Sequence, residues 1–203
     1  MTKIKLCGML TAEDIENANR LLPDYVGFIR APGLRRTKTP EEVRRLTERL
    51  DGRIIPVGVY INESPDRVIR EVCECGLGAV QLHGDEDDGY IRELKQQLSC
   101  PVIKAFRIRS EEDVRKAEAC AANLVLLDSG AGTGKSFDHS LLGFLTRDYI
   151  LAGGLNPENV GELISRFHPY GVDTSSGIET GGRKDPAKMA AFTDAVRQED
   201  RKA

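Results

Sequence analysis

The sequence has 203 residues, of which 40% are hydrophobic; this suffices for one sizeable core, and we expect a single domain over residues 1–203. Its 29 basic and 32 acidic residues are mixed along the chain and give a net charge of -3, which argues against nucleic-acid partners and against binding to a membrane surface. No run approaches the roughly 18 apolar residues of a spanning helix, and the first residues, MTKIKLCGML, lack the pattern of a signal peptide, so we expect a cytoplasmic protein.

Short apolar runs that suit β-strands recur along the chain, with helix-like segments between them. Several runs are almost continuous in Val, Ile and Leu, as is typical of parallel strands covered by helices. The eight runs are Ile4–Cys7, Tyr25–Ile29, Ile54–Tyr60, Ala79–Leu82, Val102–Ala105, Leu124–Asp128, Tyr149–Ala152 and Gly171–Asp173. This regular alternation predicts parallel strands joined by crossover helices.

Four of the helix-like segments begin with a capping side chain followed by acidic residues, and three of them place proline at the first helical position. These start signals are Thr39-Pro40-Glu41-Glu42, Ser64-Pro65-Asp66, Ser110-Glu111-Glu112-Asp113 and Asn156-Pro157-Glu158-Asn159. The last helix is predicted to run from Pro186 to about Gln198.

An open doubly wound sheet would also satisfy the alternation of strands and helices. The count of eight runs favours a closed (β/α)8 barrel, the TIM barrel. Polar, glycine-rich residues also follow run after run, and the chemistry of such barrels collects at the C-terminal ends of the strands. The sequence therefore predicts a TIM barrel with its site at that end.

The loops after the seventh and eighth runs have the composition of a phosphate site. Gly153 and Gly154 lead to a helix N-terminus, and Ser175 and Ser176 offer two hydroxyls beside another glycine. Backbone N–H groups, hydroxyls and a helix dipole bind anions, and these two loops are the usual phosphate position of a barrel. We predict that these four residues bind phosphate; the alternative is that they only form helix-entry turns.

A phosphate held there would place the rest of a small phosphosugar between Asp128, at the end of the sixth run, and Cys7, at the end of the first. A protonated carboxyl in a partly desolvated site can give a proton to an ether oxygen, and a thiolate on the opposite wall can remove a carbon-bound proton. Such a pair suits an isomerisation. The alternatives are that Cys7 is a small buried core residue and that Asp128 is a structural carboxylate.

The segment SGAGTGKS, residues 129–136, follows a strand and nearly matches a nucleotide-binding P-loop. Ser129 stands where the first glycine should be, and the next apolar run ends in Ala152-Gly153-Gly154 and not in an Asp that could bind Mg²⁺. We interpret this segment as a flexible loop beside the active site.

The five cysteines, an odd number at irregular spacing, indicate reduced thiols. Cys73 and Cys75 lie on a predicted helix, where residues two apart do not face each other, and no second pair of Cys or His residues has ligand spacing. We therefore expect no bound metal.

Several longer motifs occur in order along nearly the whole chain. They are KLCGM around Cys7, VGFIRAPGLRR ending in Arg36, VGVYIN, VQLHGDE with His83, LLDSGAGTGKSFDH with Asp128, LAGGLNPENV, and GVDTSSGIE with Asp173. In this order they resemble the phosphoribosylanthranilate isomerase family. VQLHG and VDTSSGIE together are specific, whereas any single glycine-rich piece would be weak evidence.

The resemblance implies an Amadori rearrangement in tryptophan biosynthesis, from N-(5-phospho-β-ribosyl)anthranilate to 1-(2-carboxyphenylamino)-1-deoxyribulose 5-phosphate. It implies that Asp128 is the general acid that protonates the furanose ring oxygen, and that Cys7 is the general base that takes the proton from C2. By the same resemblance Arg36 contacts the substrate's carboxylate, and His83 and Asp173 are expected to bind substrate. No cofactor is expected, since the substrate's own iminium serves as the electron sink.

Three positions depart from the family's common pattern. Arg30 stands where an aromatic or apolar residue is usual, Leu34 where a small polar residue is frequent, and His139 where Trp is usual. Arg30 could form a second carboxylate contact or point outward, and we expect it to point outward into solvent, as most arginines do.

Two other functions fit a phosphate-binding barrel. The isomerase of histidine biosynthesis performs the same rearrangement on another aminoaldose, but that family has Asp at the first-strand position where this chain has Cys7. A non-catalytic phosphate-binding barrel is disfavoured because both Cys7 and Asp128 are present. We expect a monomer, with a homodimer as the alternative.

Overall fold

The computed structural model describes residues 1–128 and 145–202, and eight parallel strands within them form a closed barrel. Each strand pairs with the next along the chain, and the first pairs with the eighth to close the ring. The predicted TIM barrel is therefore confirmed. The segment 129–136 and His139 lie outside the described residues. The strands are β1 (Lys3–Cys7), β2 (Tyr25–Ile29), β3 (Ile55–Tyr60), β4 (Ala79–Leu82), β5 (Val102–Arg107), β6 (Leu124–Asp128), β7 (Tyr149–Ala152) and β8 (Gly171–Thr174).

The strand bounds follow the apolar runs because these strands are buried both by the barrel interior and by the surrounding helices. β2, β4, β6 and β7 have the predicted bounds. The largest difference is at β5, which continues two residues past the predicted end at Ala105. Phe106 and Arg107 still pair with Leu127 and Asp128 of β6, so the ladder extends beyond the apolar run.

Seven helices occur in the described parts of the chain, and they surround the barrel. They are α1 (Ala12–Leu21), α2 (Pro40–Thr47), α3 (Pro65–Glu74), α4 (Asp88–Gln97), α5 (Glu111–Ala119), α6 (Val160–Phe167) and α7 (Pro186–Asp200). The last helix thus begins where the sequence predicts and ends two residues later.

The predicted start signals act as caps to different degrees. Thr39 and Ser110 each form a full capping box, and Ser64 is the N-cap of α3 although its side chain makes no capping bond. The prediction that a helix starts at Asn156 is wrong by a few residues, since α6 begins at Val160. The Asn156 side chain instead accepts two backbone N–H bonds of 3.0 Å within a turn that precedes the helix.

A small element after β8 was not predicted. Ser176–Ile178 form one 3₁₀ turn, and two short antiparallel strands follow, β9 (Glu179–Thr180) and β10 (Arg183–Lys184). Gly181 and Gly182, with φ of 57° and 77°, form the turn between them. Strands of two residues are too short to show a hydrophobic period.

The core has two layers because alternate side chains of each strand point into the barrel or out towards the helices. The outer layer joins strands and helices in one large apolar cluster. The inner layer consists of strand residues alone: Tyr25, Val57, Ala79, Ile103, Ala105, Leu126, Ile150 and Ala152. Inward-pointing residues at the last strand positions therefore surround the C-terminal mouth of the barrel.

Candidate active site

A cavity of about 380 Å³ opens at the C-terminal ends of the strands, the end at which barrel enzymes carry their active sites. It brings together eight of the nine site residues predicted from the sequence. Arg36, the ninth, does not line it and packs beside Gly8, where an added Cβ would come within 2.9 Å of Arg36 Cδ. The eight lining residues are Cys7, His83, Asp128, Gly153, Gly154, Asp173, Ser175 and Ser176.

The loops after β7 and β8 meet at one side of this cavity. Gly153 and Gly154 have φ of 92° and 68°, a left-handed conformation that residues with side chains rarely adopt. Thr174 Oγ1 donates to the Leu155 carbonyl at 2.7 Å, and a Cβ on Gly177 would collide with that carbonyl oxygen. The two loops therefore need glycine both for their turn and for their close approach.

The serines of the second loop face the same space. Ser175 and Ser176 both line the cavity, and Ser175 Oγ donates to the Cys7 carbonyl at 3.1 Å, which joins the loop to β1. Two hydroxyls and two glycine-bearing turns thus lie on one side of the cavity. This is the set of groups that binds a phosphate in other barrels.

The Cys7 thiol lies at the end of β1 and is only 6% exposed. Gly27 on the neighbouring strand leaves room for it, since a Cβ there would stand 2.6 Å from the Cys7 Sγ. Burial raises the pKa of the Cys7 thiol above its ordinary value, and the nearby Lys5 ammonium acts against this rise. The thiol is thus a cavity-facing group whose ionisation depends on its charged neighbours.

Lys5 lies two residues before the thiol on the same strand, and its side chain is 1% exposed. Its Nζ donates to Asp173 Oδ1 on β8 at 2.8 Å. Burial acts to lower the pKa of Lys5, but the negative charges of Asp173 and the Cys7 thiolate together outweigh it, and the pKa is raised. An ammonium is therefore held inside the barrel beside Cys7.

Asp128 ends β6 and faces the cavity, and it is linked to His83, just after β4, and through His83 to Gln81 of β4. His83 Nε2 lies 3.4 Å from Asp128 Oδ2, and His83 Nδ1 lies 3.1 Å from Gln81 Nε2. If the Gln81 amide nitrogen donates to Nδ1, then Nε2 carries the imidazole proton and can donate to Asp128. Gln81 is 1% exposed, and its Oε1 makes no hydrogen bond within the described parts of the chain.

Arg36 follows β2 and is held by an acidic residue of the β9–β10 element. Its Nη2 donates to Glu179 Oε2 at 2.6 Å, and its buried Nε has no hydrogen-bond partner among the described residues. Lys184 Nζ lies 2.9 Å from the other Glu179 oxygen. Burial alone would raise the pKa of Glu179, but Arg36 and Lys184 together hold it below its ordinary value.

The expectation that Arg30 points outward into solvent is wrong. Its side chain is 2% exposed and binds Glu71 of α3 through two hydrogen bonds of 2.8 Å, from Nε and Nη2. Arg67 also donates to Glu71, at 2.9 Å. Arg30 therefore joins the end of β2 to the helix layer and is not among the residues that line the cavity.

The wall of the cavity beside β2 and β3 is apolar. Ile29 and Val59 lie at strand ends, and Leu34 and Ile61, which are 48% and 37% exposed, extend this surface to the rim. Apolar side chains that line a cavity up to its opening can contact an apolar part of a ligand. This wall suits a flat hydrophobic group, in contrast to the polar loops after β7 and β8.

Sequence reasoning missed Lys5, Gln81 and the Glu179–Lys184 pair. It considered polar residues only where strands end, whereas Lys5 and Gln81 lie within strands. A signal was present, because a lysine and a glutamine at inward positions of apolar strands must find partners inside the barrel. Glu179 and Lys184 carried no comparable signal, since the short hairpin that holds them shows no apolar pattern.

The described part of the chain contains no group of three or more His, Cys, Asp or Glu residues placed to hold a metal ion. None of its helices is both long enough and apolar enough to cross a membrane.

Comparison with known proteins gives a consistent result. The family model for N-(5'phosphoribosyl)anthranilate (PRA) isomerase matches residues 4–195. The N-(5'-phosphoribosyl)anthranilate isomerase of Desulforudis audaxviator is 40% identical over 207 residues, which cover 98% of this chain and 99% of that protein.

Two solved structures extend the similarity to the fold. The phosphoribosyl anthranilate isomerase of Thermotoga maritima aligns with a TM-score of 0.89 at 34% identity, over 98% of this chain and 100% of that one. A phosphoribosyl anthranilate isomerase in complex with reduced 1-(o-carboxyphenylamino)-1-deoxyribulose 5-phosphate aligns with a TM-score of 0.86 at 33% identity, with the same coverage.

Proposed function

Because the chain belongs to the N-(5'-phosphoribosyl)anthranilate isomerase family, we propose that it catalyses that family's reaction with Cys7 as general base and Asp128 as general acid. The reaction converts N-(5-phospho-β-ribosyl)anthranilate to 1-(2-carboxyphenylamino)-1-deoxyribulose 5-phosphate. It is an intramolecular aldose-to-ketose isomerisation in tryptophan biosynthesis.

The catalytic roles are assigned from one observation, which is that the two proposed catalytic residues line the same cavity. A thiol at the end of β1 and a carboxyl at the end of β6 both face it, and β7 and β8, with their glycine and serine loops, lie between these strands. An acid and a base on separate walls can act on two different atoms of one bound sugar. The loops between them provide the place for its phosphate.

The cavity walls support one orientation of the substrate. The phosphate would bind the backbone and hydroxyls of Gly153, Gly154, Ser175 and Ser176, and the aromatic ring would lie against the apolar wall that includes Leu34. The ribose would then lie between the two ends. A similar phosphosugar derivative is bound in one of the related structures.

Asp128 is assigned the first proton transfer. Its protonated carboxyl gives a proton to the furanose ring oxygen, the bond from C1 to that oxygen breaks, and C1 and the amine nitrogen become an iminium. His83, whose Nε2 lies 3.4 Å from Asp128 Oδ2, is positioned to orient the carboxyl and to contact the opened ribose. Asp173 is placed to bind a sugar hydroxyl as well as Lys5.

Cys7 is assigned the second proton transfer. The thiolate takes the proton from C2, and the C2–H electron pair moves towards the iminium to give an enolamine. A proton then adds at C1, the C2 hydroxyl becomes a ketone, and the aminoketose results. The iminium accepts the electrons in this scheme, so the scheme itself needs no metal or organic cofactor.

Arg36 is assigned to the carboxylate of the anthranilate. A guanidinium matches a carboxylate in two parallel hydrogen bonds, and the Arg36 Nε makes no hydrogen bond to any described residue. Glu179 already holds one edge of the guanidinium, at 2.6 Å from Nη2. A small shift of Arg36 towards the cavity is therefore part of this proposal.

The test of the proposed function is turnover of the purified chain with freshly generated phosphoribosylanthranilate, followed by anthraniloyl fluorescence. We expect the signal to change as the aminoketose forms, and chromatography should identify 1-(2-carboxyphenylamino)-1-deoxyribulose 5-phosphate. Chain that is folded by circular dichroism and yet forms no product would refute the proposal.

A further inference from the structure

Lys5 is a buried cation that the proposed catalytic steps do not use. It points into the barrel from the middle of β1, and its partner strands place it opposite Tyr25 of β2 and Asp173 of β8. An ammonium that is 1% exposed is costly unless it is paired, and Asp173 provides one partner at 2.8 Å. A structural pair at this place could be replaced by apolar residues at little cost, so its presence needs an explanation.

The explanation lies in what shares the space with the Lys5 ammonium. A Cβ on Gly27 would stand 2.6 Å from Cys7 Sγ and 3.3 Å from Lys5 Nζ. The thiol and the ammonium thus lie side by side over the one residue of β2 that has no side chain. Lys5 and Cys7 are two apart on a strand, so both side chains point to the same face.

The charges around the thiol come from three elements. Among the described residues, Lys5 of β1 and Lys184 of β10 favour the thiolate, while Asp173 of β8 disfavours it, and the β2 residue against the thiol is the uncharged Gly27. Lys184 is already paired with Glu179 at 2.9 Å. Burial is the main influence that raises the pKa of Cys7, and Lys5 is the strongest of those that oppose it.

We propose that Lys5, held in place by Asp173, is a positioning residue whose ammonium stabilises the Cys7 thiolate. This inference rests on the proposed role of Cys7 as the base. To form the thiolate, the thiol gives its proton to water in the cavity and keeps the S–H electron pair on sulfur, while Lys5 keeps its own proton. After the sulfur takes the C2 proton it is a neutral thiol again, and release of that proton restores the thiolate beside Lys5.

The experiment measures the alkylation of Cys7 by iodoacetamide as a function of pH, with each modified cysteine quantified by mass spectrometry. The thiolate is the reactive form, and Cys7 is reached through the cavity that it lines. Cys73 of α3, which is exposed, serves as an internal reference in every sample. The plateau rate at high pH corrects for differences in access to the thiol.

The variant Lys5→Met removes the charge and keeps a side chain of similar length. We compare the rate of Cys7 alkylation at neutral pH, divided by the plateau rate at high pH, between this variant and the original chain. We expect this ratio to fall on the order of tenfold or more in the variant, because the thiolate becomes less populated. The matched control is Lys3→Met. Lys3 also lies on β1 and is paired with an aspartate, Asp24, at 2.7 Å, but it is about 13 Å along the strand from Cys7, twice as far as Lys5. That control should leave the rate unchanged.

Lys5→Met leaves the Asp173 carboxylate buried without its cation and could prevent folding. The double variant Lys5→Met/Asp173→Asn avoids this, because both charges are removed together. Since Lys5 acts on the thiol more strongly than Asp173 does, the double variant should also slow alkylation at neutral pH. Slowing of less than about twofold in every folded variant that lacks Lys5 would overturn the proposal.

The result is independent of the proposed catalytic role, because alkylation is measured without substrate. If Cys7→Ala abolishes turnover while loss of Lys5 leaves alkylation unchanged, the role of Cys7 stands and that of Lys5 falls. If Cys7→Ala retains turnover, the role of Cys7 as base falls whatever the alkylation shows.

Discussion

At the scale of single residues, the proposed chemistry depends on groups that chain topology alone brings together. Cys7 and Asp128 are 121 positions apart in the sequence and face one cavity because β1 and β6 end at the same mouth. The His83 imidazole lies beside the Asp128 carboxyl, with Nε2 at 3.4 Å from Oδ2. Proton transfer and substrate binding can therefore be tested by separate substitutions.

The substitution Asp128→Asn removes the proposed acid while it keeps the shape of the side chain. We expect kcat/KM to fall by roughly 10²–10⁴-fold, since an amide cannot protonate the ring oxygen. Steady-state fluorescence kinetics measure this loss. Asp148→Asn, at an exposed position outside the cavity, is the control and should retain full activity. If Asp128→Asn kept both the rate and the pH profile of the original chain, another group would have to supply the proton.

Arg36 should act mainly through binding. Arg36→Ala is expected to raise KM by about 10- to 100-fold, because the anthranilate carboxylate then loses a charged partner. The matched control is Arg35→Ala. Arg35 contacts the same Glu179 at 3.2 Å but is 61% exposed, and its loss should change KM little.

A substrate analogue without the carboxylate separates a direct contact from a general loss of affinity. The chain with Arg36 should bind the analogue more weakly than the substrate, whereas Arg36→Ala should hardly distinguish the two. The same ratio of affinities in both chains would show that Arg36 does not touch the carboxylate.

At the scale of secondary structure, the buried pair of Arg30 and Glu71 joins β2 to α3. Glu71→Gln leaves the Arg30 guanidinium buried without a negative partner, and we expect it to lower the free energy of unfolding by roughly 3–5 kcal/mol. Arg30→Met should cost less, because Glu71 keeps its hydrogen bond from Arg67 at 2.9 Å. Urea denaturation followed by circular dichroism measures both.

An exposed pair of the same geometry provides the control for these two variants. Arg53 binds Asp51 through two bonds of 2.8 Å at the surface, and Asp51→Asn should hardly move the urea midpoint. Loss of Glu71 should be the more destabilising change, because Glu71 also binds Arg67 and so retains a cation when Arg30 is lost. An Arg30→Met variant less stable than Glu71→Gln would contradict this expectation.

The strands could be predicted well because each one is an apolar run with a definite end. The helix starts were harder, as Asn156 shows: it caps a turn by accepting two N–H bonds, and α6 itself begins only at Val160. The hairpin of β9 and β10 could not be predicted, since two-residue strands have no period.

The candidate site could be predicted as far as its residues end strands or lie in the glycine-containing loops that follow them. Cys7 and Asp128 meet this condition, whereas Lys5 does not, because its place inside the barrel follows only from strand register. The same limit explains the error at Arg30. Most arginine side chains are exposed to solvent, so exposure was expected. The partner that keeps Arg30 buried, Glu71, lies 41 positions away in the sequence.

At the scale of the whole molecule, we propose that residues 1–203 form one domain, with both ends of the chain fixed to the barrel. β1 pairs with β8, and Asp200 at the end of α7 accepts a bond from the Thr2 backbone at 2.9 Å. Arg197 donates to the Thr2 carbonyl at 2.7 Å. Closure of the barrel therefore depends on contacts between the first and last elements.

Acid should destabilise the whole fold. Folding lowers the pKa of Glu71, Glu179 and Asp200, so the folded state releases these protons more readily than the unfolded state does. The stability that these carboxylates contribute is complete above their ordinary pKa values, 4.5 for glutamate and 3.8 for aspartate. It is lost as the pH falls through the lower pKa values of the folded state.

Urea unfolding at a series of pH values tests this expectation. The free energy of unfolding should decrease steadily below about pH 4.5, and Glu71→Gln should show a shallower decrease because one of the three groups is gone. A free energy that stays constant down to about pH 3 would contradict the assignment of these carboxylates.

The central claim is that the Cys7 thiolate takes the C2 proton, and the rate of Cys7→Ala tests it most directly. The measurement is kcat/KM by anthraniloyl fluorescence, beside Cys73→Ala as a matched loss of an exposed cysteine, with circular dichroism to show that both variants fold. We expect Cys73→Ala to match the original chain and Cys7→Ala to lose roughly 10²–10⁴-fold. Activity of Cys7→Ala within about threefold of the original chain, far above what loss of a general base allows, would contradict the claim.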